Sequence, residues 1–440
     1  MIATKSKTAF AAALLFLAAA VGGAGTALAQ ENTWSGESLA LMVDQAQWKL
    51  GLLRVNAGFQ LTNAGYDTDI YYGYGDGAEP DATLTAALPL QIILPISRKA
   101  VLDVTETPQY VFYLQTERER AWNNLLRARL HLALDRFYFR FEGGLDDIRR
   151  RLSPELNLNV RQKQSVVDGI ALWQASRKTS FAFLYGLSRF EYGSSDLGLL
   201  DVAAVLDRDE QYLDALTFFQ PTPRLRLHLD GQYGTYGFAN PASRNRDARS
   251  YGLLGGFEFL PREGEAEDSR GVTGSVRLGF MRFDLRDAAM ADESNFVGDA
   301  LVSARLIRRT TLRLLLARSF QFSAFSGSTY YLSTRFGGGI TRHFSRRASI
   351  SYDVSVVRGS YPVTDPEPGL ADDINYRYLL HDISLDFRLR RDLWLSLVGS
   401  LGRRTIGGEE VSRSRNFFGL NLFYGRRAGS VAVPVGGLSR

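Results

Sequence analysis

The chain has 440 residues, of which 45% are apolar and 22% charged, and its formal net charge is +5. It contains no cysteine, which excludes disulfides, thiolate metal sites, a cysteine nucleophile and a lipidated N-terminal cysteine. The charge is too mild for a nucleic-acid partner. A mean hydropathy of −0.14 is low for a bundle of membrane helices but ordinary for a barrel in which alternate residues face lipid.

In chain order the first element is a secretory signal at 1–29. Lys5 and Lys7 precede an apolar run at 10–21, and Ala27-Leu28-Ala29 offers a small-x-small cleavage site before Gln30. The apolar run is shorter than the ~20 residues a helical span needs, and no later stretch reaches that length. Removing Lys5 and Lys7 takes the net charge from +5 to +3 (5 − 2). Residues 30–46 are expected to form an N-terminal periplasmic segment, 47–425 an outer-membrane barrel, and 426–440 a C-terminal tail.

From Lys49 to Tyr424 the chain is a series of alternating runs. Leu312, Leu314 and Leu316 share one face with Arg313 on the other. Ile383, Leu385, Phe387 and Leu389 alternate with Ser384, Asp386 and Arg388. A strand of period two puts such sets on opposite faces of a sheet. Eighteen candidate strands are centred near Val55, Leu88, Phe112, Leu130, Phe139, Ala171, Phe183, Ala215, Leu229, Leu253, Val276, Val302, Leu314, Leu332, Val354, Leu385, Leu397 and Leu420. The runs near Ala171 and Ala215 alternate poorly and leave sixteen as the lower count. Links after even-numbered runs are short, as at 135–136, 177–178, 308–309, 345–347 and 390–392. Most links after odd-numbered runs are long and polar: 65–80, 146–164, 193–209, 235–247, 284–295 and 359–373. Short 117–121 and long 261–270 blur this rhythm. Short periplasmic turns alternating with long outer loops mark an antiparallel, up-and-down transmembrane β-barrel, and an even strand number puts both termini on the short-turn side.

One face of each run suits lipid and the other suits water. Leu126, Ala128, Leu130, Leu132 and Leu134 oppose Leu125, Arg127, Arg129 and His131. Val272, Gly274, Val276, Leu278 and Phe280 oppose Thr273, Ser275 and Arg277. Ile350, Tyr352, Val354 and Val356 oppose Ser351, Asp353 and Ser355. Charges this regular need a wet interior, and a barrel of sixteen to eighteen strands leaves an aqueous channel. Tyr66, Tyr71, Tyr72, Tyr110, Phe137, Tyr138, Phe218, Phe219, Phe417, Phe418, Phe423 and Tyr424 cluster towards run ends, as interfacial girdles do; the strand preference of aromatics explains any single one equally well.

Four stretches carry a family resemblance: LGLLRVNAGFQLTNAGYDTDIYYG at the first run, RKTSFAFLYGLSRFEYGSSD in mid-chain, LRLLLARSFQFSAFSGSTYYLSTRFGGGITRHFSRRASISYDVSVVRGSY later, and RDLWLSLVGSLGRRTIGGEEVSRSRNFFGLNLFYG at the last hairpin. The chain resembles the putative beta-barrel porin 2 family over nearly the whole mature length, by its rhythm of strands and loops. The resemblance implies an outer-membrane porin-type barrel of a Gram-negative bacterium, in a family some of whose members are associated with exopolysaccharide loci, and it brings no catalytic residue. One departure is the end of the chain. Many such barrels end on an aromatic residue that serves assembly, whereas here a tail follows Tyr424.

Catalysis finds little support. His131 and His228 alternate with arginine on inward faces, His343 and His381 are expected near short periplasmic turns, and none has metal-pair spacing. Gly337-Gly338-Gly339 and Gly407-Gly408 lack the context of a phosphate loop. The acidic loop residues Asp365, Glu367, Asp372 and Asp373, like Glu263, Glu265, Glu267 and Asp268, read as solvated loops before calcium ligands. No cofactor or metal is expected. The constellation that remains is arginine: Arg127, Arg129, Arg224, Arg226, Arg277, Arg305, Arg313 and Arg388 fall on expected inward faces, opposed by Asp230, Asp353, Asp382 and Asp386. Such residues either bias which ions enter or brace the wall by pairing across strands. The expected function is a passive pore for small hydrophilic solutes, with a leaning to anions. Its partners are outer-membrane lipid, lipopolysaccharide and the barrel-assembly machinery. Export or retention of an exopolysaccharide, and a closed structural or adhesive barrel acting through its outer loops, are the alternatives.

Overall fold

The computed structural model describes residues 36–71, 78–151, 159–193, 201–260, 271–286, 292–307, 309–324, 329–361, 375–406 and 411–425. The signal at 1–29, the tail at 426–440, and the motifs at 263–268, 365–373 and 407–408 lie outside these residues.

The chain opens with helix α1 (Gly36–Asp44) and a short strand β1 (Trp48–Leu50). There follow β2 (Leu53–Asp67), β3 (Asp81–Ala87), β4 (Leu90–Ser97), β5 (Ala100–Tyr113), β6 (Ala121–Leu134), β7 (Phe137–Arg151), β8 (Asn159–Gln174), β9 (Thr179–Tyr192) and β10 (Arg208–Thr222). The second half holds β11 (Leu225–Phe238), β12 (Ala248–Phe259), β13 (Gly271–Leu285), β14 (Glu293–Ile307), β15 (Thr310–Phe322), β16 (Tyr330–His343), β17 (Ala348–Ser360), β18 (Tyr376–Arg390), β19 (Leu393–Ile406) and β20 (Val411–Gly425). A second helix, α2 (Val202–Leu206), sits in the β9–β10 link, and 3-10 turns occupy Glu117–Glu119 and Pro241–Arg246.

Every pairing is antiparallel, nearly all join chain neighbours, and β20 returns to β2, Phe59 opposite Tyr424, so the sheet is a closed barrel. The sheet has 20 strands by hydrogen bonding but eighteen staves, because β3 and β4 share the slot between β2 and β5 and β1 only extends the β20 side of β2. The second expected strand, centred on Leu88, is therefore broken at its centre. Pro89 has no N–H for the ladder. Its carbonyl accepts from Gly58 N–H at 2.9 Å while Leu88 N–H turns to Pro108 O at 3.1 Å. The other seventeen expected centres each fall inside a strand. Strands reach further into the links than the sequence suggests: β7 runs to Arg151 and β8 starts at Asn159, so the link expected at 146–164 shrinks to 152–158.

The alternation sorts the side chains as period two requires. Outward Leu253, Phe280, Leu314 and Phe336 are each about three-fifths exposed, whereas inward Arg277 and Asp230 are shielded in the wall. The strands near Ala171 and Ala215 are as regular as the rest. Their alternation is faint because the inner face is apolar there too: Ile170, Ala182, Leu184, Leu216 and Phe218 form one buried cluster. Girdle aromatics do face outward at Tyr66, Phe137, Phe219, Phe418 and Tyr424. Phe137 stacks with Trp173, centroids 6.3 Å apart, and Trp173 with Phe181 at 5.4 Å. Tyr71, Tyr138, Phe218 and Phe417 are corrections, being buried on the inner side, and Tyr72 lies outside the described residues. No described helix is long and apolar enough to cross a membrane.

The seam carries one buried ion pair. Arg415 of β20 donates its Nε to both Asp67 carboxylate oxygens at 2.7 and 2.9 Å, and its Nη2 also reaches Asp67. Both side chains are at least nine-tenths buried, and losing one partner of such a pair costs ~3–5 kcal/mol because the other charge stays buried. Arg415→Ala is therefore expected to lower the temperature at which the folded barrel converts to the unfolded band in SDS gels. Arg415→Ala with Asp67→Asn should recover part of that loss.

Candidate functional site

The inner wall is a belt of paired charges set by strand register. On β5 to β8, Arg127 grips Asp146 through Nη1 at 2.5 Å and Nη2 at 2.7 Å, and Arg129 Nε donates to Glu142 at 2.7 Å with Asp103 at 3.7 Å. Arg140 reaches Asp168 at 3.3 Å. Gly144 makes room for Arg127, since a Cβ there would lie 2.7 Å from its guanidinium. A polar chain runs on from Asp103, which accepts from Gln91 at 2.8 Å, and Gln91 in turn accepts from Asn56 at 2.8 Å.

On β10 to β14, Arg277 bridges Asp230 at 3.1 Å and Asp299 at 2.7 Å, and Arg226 Nε donates to Glu258 at 2.9 Å. On β15 to β19, Arg313 crosses the backbone of Gly339 to reach Asp353 at 2.7 Å, a path that any side chain at 339 would block. Asp382 and Asp386 accept from Ser400 and Ser396, each at 2.6 Å. Most arginines on this belt thus face a carboxylate one or two staves away.

The arginines named from sequence fall unequally. Arg127, Arg129, Arg226, Arg277 and Arg313 stand on the belt with Asp230, Asp353 and Asp386. Arg305 shares the inward register of β14 near its short-turn end. Arg388 lies lower on β18, donating to Arg391 O at 3.1 Å and stacking over Trp394 at 5.2 Å. Arg224 is a correction: it is an exposed residue of the Pro223-Arg224 turn, where the β10–β11 register shifts. Among the histidines, His131 lies 2.8 Å from the Tyr138 hydroxyl on the inner face. His381 is corrected as well, since it sits mid-strand opposite Val354 on the outward register and meets the Tyr352 hydroxyl at 2.7 Å. Among the described residues no group of three or more His, Asp or Glu is placed to hold a metal.

Three elements narrow the outer end. β15 pairs with β14 only as far as Arg318 opposite Gly298, and β16 leaves β17 at Leu332 opposite Ser360, but β15 and β16 stay paired up to Phe322 opposite Tyr330. Both faces of this free hairpin end are buried, so it has left the wall and entered the lumen. Phe320, Tyr330 and Leu332 pack on the inner residues Tyr236, Leu254, Met281, Phe283 and Val297, with Phe283 and Phe320 centroids 4.9 Å apart. Tyr331 packs the other way, onto Val357, Tyr376, Tyr378 and Leu380. The hairpin is fastened by Arg246 of the β11–β12 link. Its Nη1 donates to Val205 O at 2.8 Å, and its Nη2 to Ser323 O at 2.5 Å and Thr329 O at 3.0 Å. α2, carrying Val202 and Leu206, closes over Val160, Phe322 and Ala324.

Across the mouth, the 68–71 stretch is tied down by Tyr71, whose hydroxyl donates to Glu119 at 2.9 Å and accepts from Arg118 at 2.8 Å. Burial pushes the Tyr71 phenol above its ordinary range, so it keeps the proton it donates.

The short-turn end has its own cover. Leu39 of α1 is 1% exposed and sits on Ile93, Val101, Ala133 and Tyr138, all inward residues near that mouth. Past the helix, Gln47 N–H donates to Asn56 at 2.8 Å and Ala57 N–H to the Gln47 side chain at 2.7 Å, which joins the segment to the polar chain on the wall.

A closed eighteen-stave barrel, greasy outside and charged inside, with short turns at one end and an infolded hairpin at the other, defines a porin-type protein of the Gram-negative outer membrane. The family model "Putative beta-barrel porin 2" matches residues 153–422, and the chain belongs to that family. A comparison with curated proteins finds no match by sequence. Among solved structures it is similar to the outer membrane protein opdK from Pseudomonas aeruginosa, at 12% identity and TM-score 0.50, covering 84% of this chain and 98% of that one. OpdO of the same organism is 13% identical, with TM-score 0.47 and 84% and 97% covered. The likeness to opdK concerns the fold alone.

Proposed function

We propose that the barrel is a passive, non-enzymatic channel for small hydrophilic solutes, with weak selection by charge. The observation that carries this reading is the paired belt: five of the eight arginines that sequence alone marks as anion attractors, Arg127, Arg129, Arg226, Arg277 and Arg313, have a carboxylate at 2.5–3.1 Å. A mosaic of both signs gives a small mean field in the lumen and many donor and acceptor sites, which suits sugars and zwitterions as well as small anions. The infolded hairpin, α2 and the 68–71 stretch limit solute size at the outer mouth. Their inward packing favours a channel over an adhesive barrel acting through outer loops.

Swelling of proteoliposomes in sugars of graded size tests the channel: swelling with small sugars and none with large ones supports it, and none with any sugar rejects it. Reversal potentials in a salt gradient test the charge balance. The wild type should lie near zero; Asp353→Asn, which frees Arg313, should shift towards anions; and Arg313→Ala, which frees Asp353, towards cations. A strong preference of the wild type for either sign would contradict the paired belt.

A further inference from the structure

The outward face carries a second pattern of arginines, at the outer end of the staves. Around β7 to β14 most outward arginines at this level have a carboxylate, Arg249 opposite Asp284 being an exception. Arg161 binds Asp147 at 2.6 Å, Arg189 binds Asp209 at 2.7 Å, and Arg282 binds Asp284 and, at 2.9 Å, Asp292. On β15 to β19 the strands themselves carry arginines and no outward carboxylate at this level. One register row runs Arg318, Thr334, Arg358, Arg377 and Thr405 across five adjacent staves, with Arg403 one diagonal step below Arg377. Arg358 and Arg377 are exposed and directly opposite each other, an arrangement that repels unless an anion sits between them. Among the described residues no ion pair engages either one. Arg318 is pre-oriented, its Nε donating to Phe296 O at 3.0 Å and its Nη1 to the Thr334 hydroxyl at 2.7 Å.

The height of the row says what the anion is. Beneath Arg358 the outward residues of β17 are Ile350, Tyr352, Val354 and Val356, and beneath Arg403 on β19 they are Leu401, Gly399, Leu397 and Leu395. Ten residues separate Ala348 from Arg358. At ~3.3 Å per residue and ~45° tilt they climb about 23 Å, close to the ~25 Å apolar band of such barrels. The guanidinium groups therefore lie where acyl chains end and headgroup phosphates begin, on the outer side of the membrane. Planar guanidinium forks suit phosphate, and threonine hydroxyls add neutral donors beside them.

We propose that Arg318, Arg358, Arg377 and Arg403, with Thr334 and Thr405, form a binding site for the phosphates of an outer-leaflet glycolipid, whose acyl chains lie on the apolar face of β15 to β19. The site is separate from the lumen and independent of what the channel carries.

Native mass spectrometry of the detergent-solubilised full barrel, titrated with bis-phosphorylated lipid A, tests it. The wild type should bind lipid A and bind the dephosphorylated glycolipid much more weakly, and millimolar inorganic phosphate should not compete. Arg358→Gln with Arg377→Gln should weaken binding by at least about tenfold, about 1.4 kcal/mol, with conductance unchanged. Lysine at both positions should recover part of the affinity, and Arg282→Gln, in the paired sector, should change nothing. Equal binding of phosphorylated and dephosphorylated glycolipid would overturn the site, and that comparison needs no variant. Wild-type affinity in the glutamine variant, or full competition by free phosphate, would overturn it too.

Discussion

Removing α1 is expected to enlarge the conductance of the channel severalfold. The helix covers an apolar patch that is out of place in a water-filled lumen: Ile93, Val101, Ala133 and Tyr138 all point inward at the short-turn mouth. Leu39 is the residue that seals them. A nine-residue helix is too short to persist alone in water, where ~12–15 residues are marginal, so undocking and unwinding are one event. Truncating a buried leucine to alanine costs ~2–5 kcal/mol. Leu39→Ala should therefore raise the undocked population by at least about tenfold, at 1.4 kcal/mol per decade. In planar bilayers the variant should step between a small and a large conductance, and deletion of residues 36–46 should hold the large one. Wild-type conductance in both would show that α1 does not obstruct the path.

Arg246→Ala is expected to act at the opposite mouth with comparable size. Its guanidinium satisfies three backbone carbonyls, those of Val205, Ser323 and Thr329, on two separate links. Hydrogen bonds to a charged group are worth ~1.5–3 kcal/mol each, and buried carbonyls left bare add to the loss. A total near 3 kcal/mol or more changes the ratio of infolded to released hairpin by about a hundredfold. The variant should admit sugars that the wild type excludes in the swelling assay, and its current should be noisier. Arg246→Lys should restore little, because one ammonium cannot span carbonyls that a planar fork spans. A wild-type size limit in Arg246→Ala would mean that aromatic packing alone, Phe283 against Phe320 and Tyr330, holds the hairpin in place.

The barrel was legible because its cause is local. Lipid on one side and water on the other impose period two on every strand, and link lengths report the two ends; hence seventeen of the eighteen expected centres lie within strands. The break at Pro89 was also written in the sequence, as a proline where a ladder donor was needed.

What sequence did not yield is pairing and infolding, which are tertiary. Arg313 and Asp353 are forty residues apart and meet only because Gly339 leaves a gap between them. Asp146 joined the belt unseen because β7 runs past where alternation fades, and Glu142, Asp168 and Asp299 because their partners are set by register between strands. Arg224 shows the converse: its alternation with Arg226 put it on the wall, but the turn runs one residue further than the pattern implies and β11 begins at Leu225. The infolded hairpin did leave a trace, in that Phe320, Phe322, Tyr331 and Leu332 put aromatic or aliphatic bulk on both registers, which a lipid–water wall does not need. Arg246 left none; one arginine in a polar loop looks like any other.

The most direct test of the geometry uses the absence of cysteine from the native chain. Single variants Ser275→Cys and Val276→Cys on β13, and Ser355→Cys and Val356→Cys on β17, place a thiol on adjacent positions of opposite face. A membrane-impermeant, water-soluble thiol reagent should label 275 and 355 and lower their conductance, while 276 and 356 stay unreacted in lipid. Labelling of 276 and 356 with 275 and 355 shielded would mean that the apolar face is wet and the charged face is not, contradicting the barrel as oriented here.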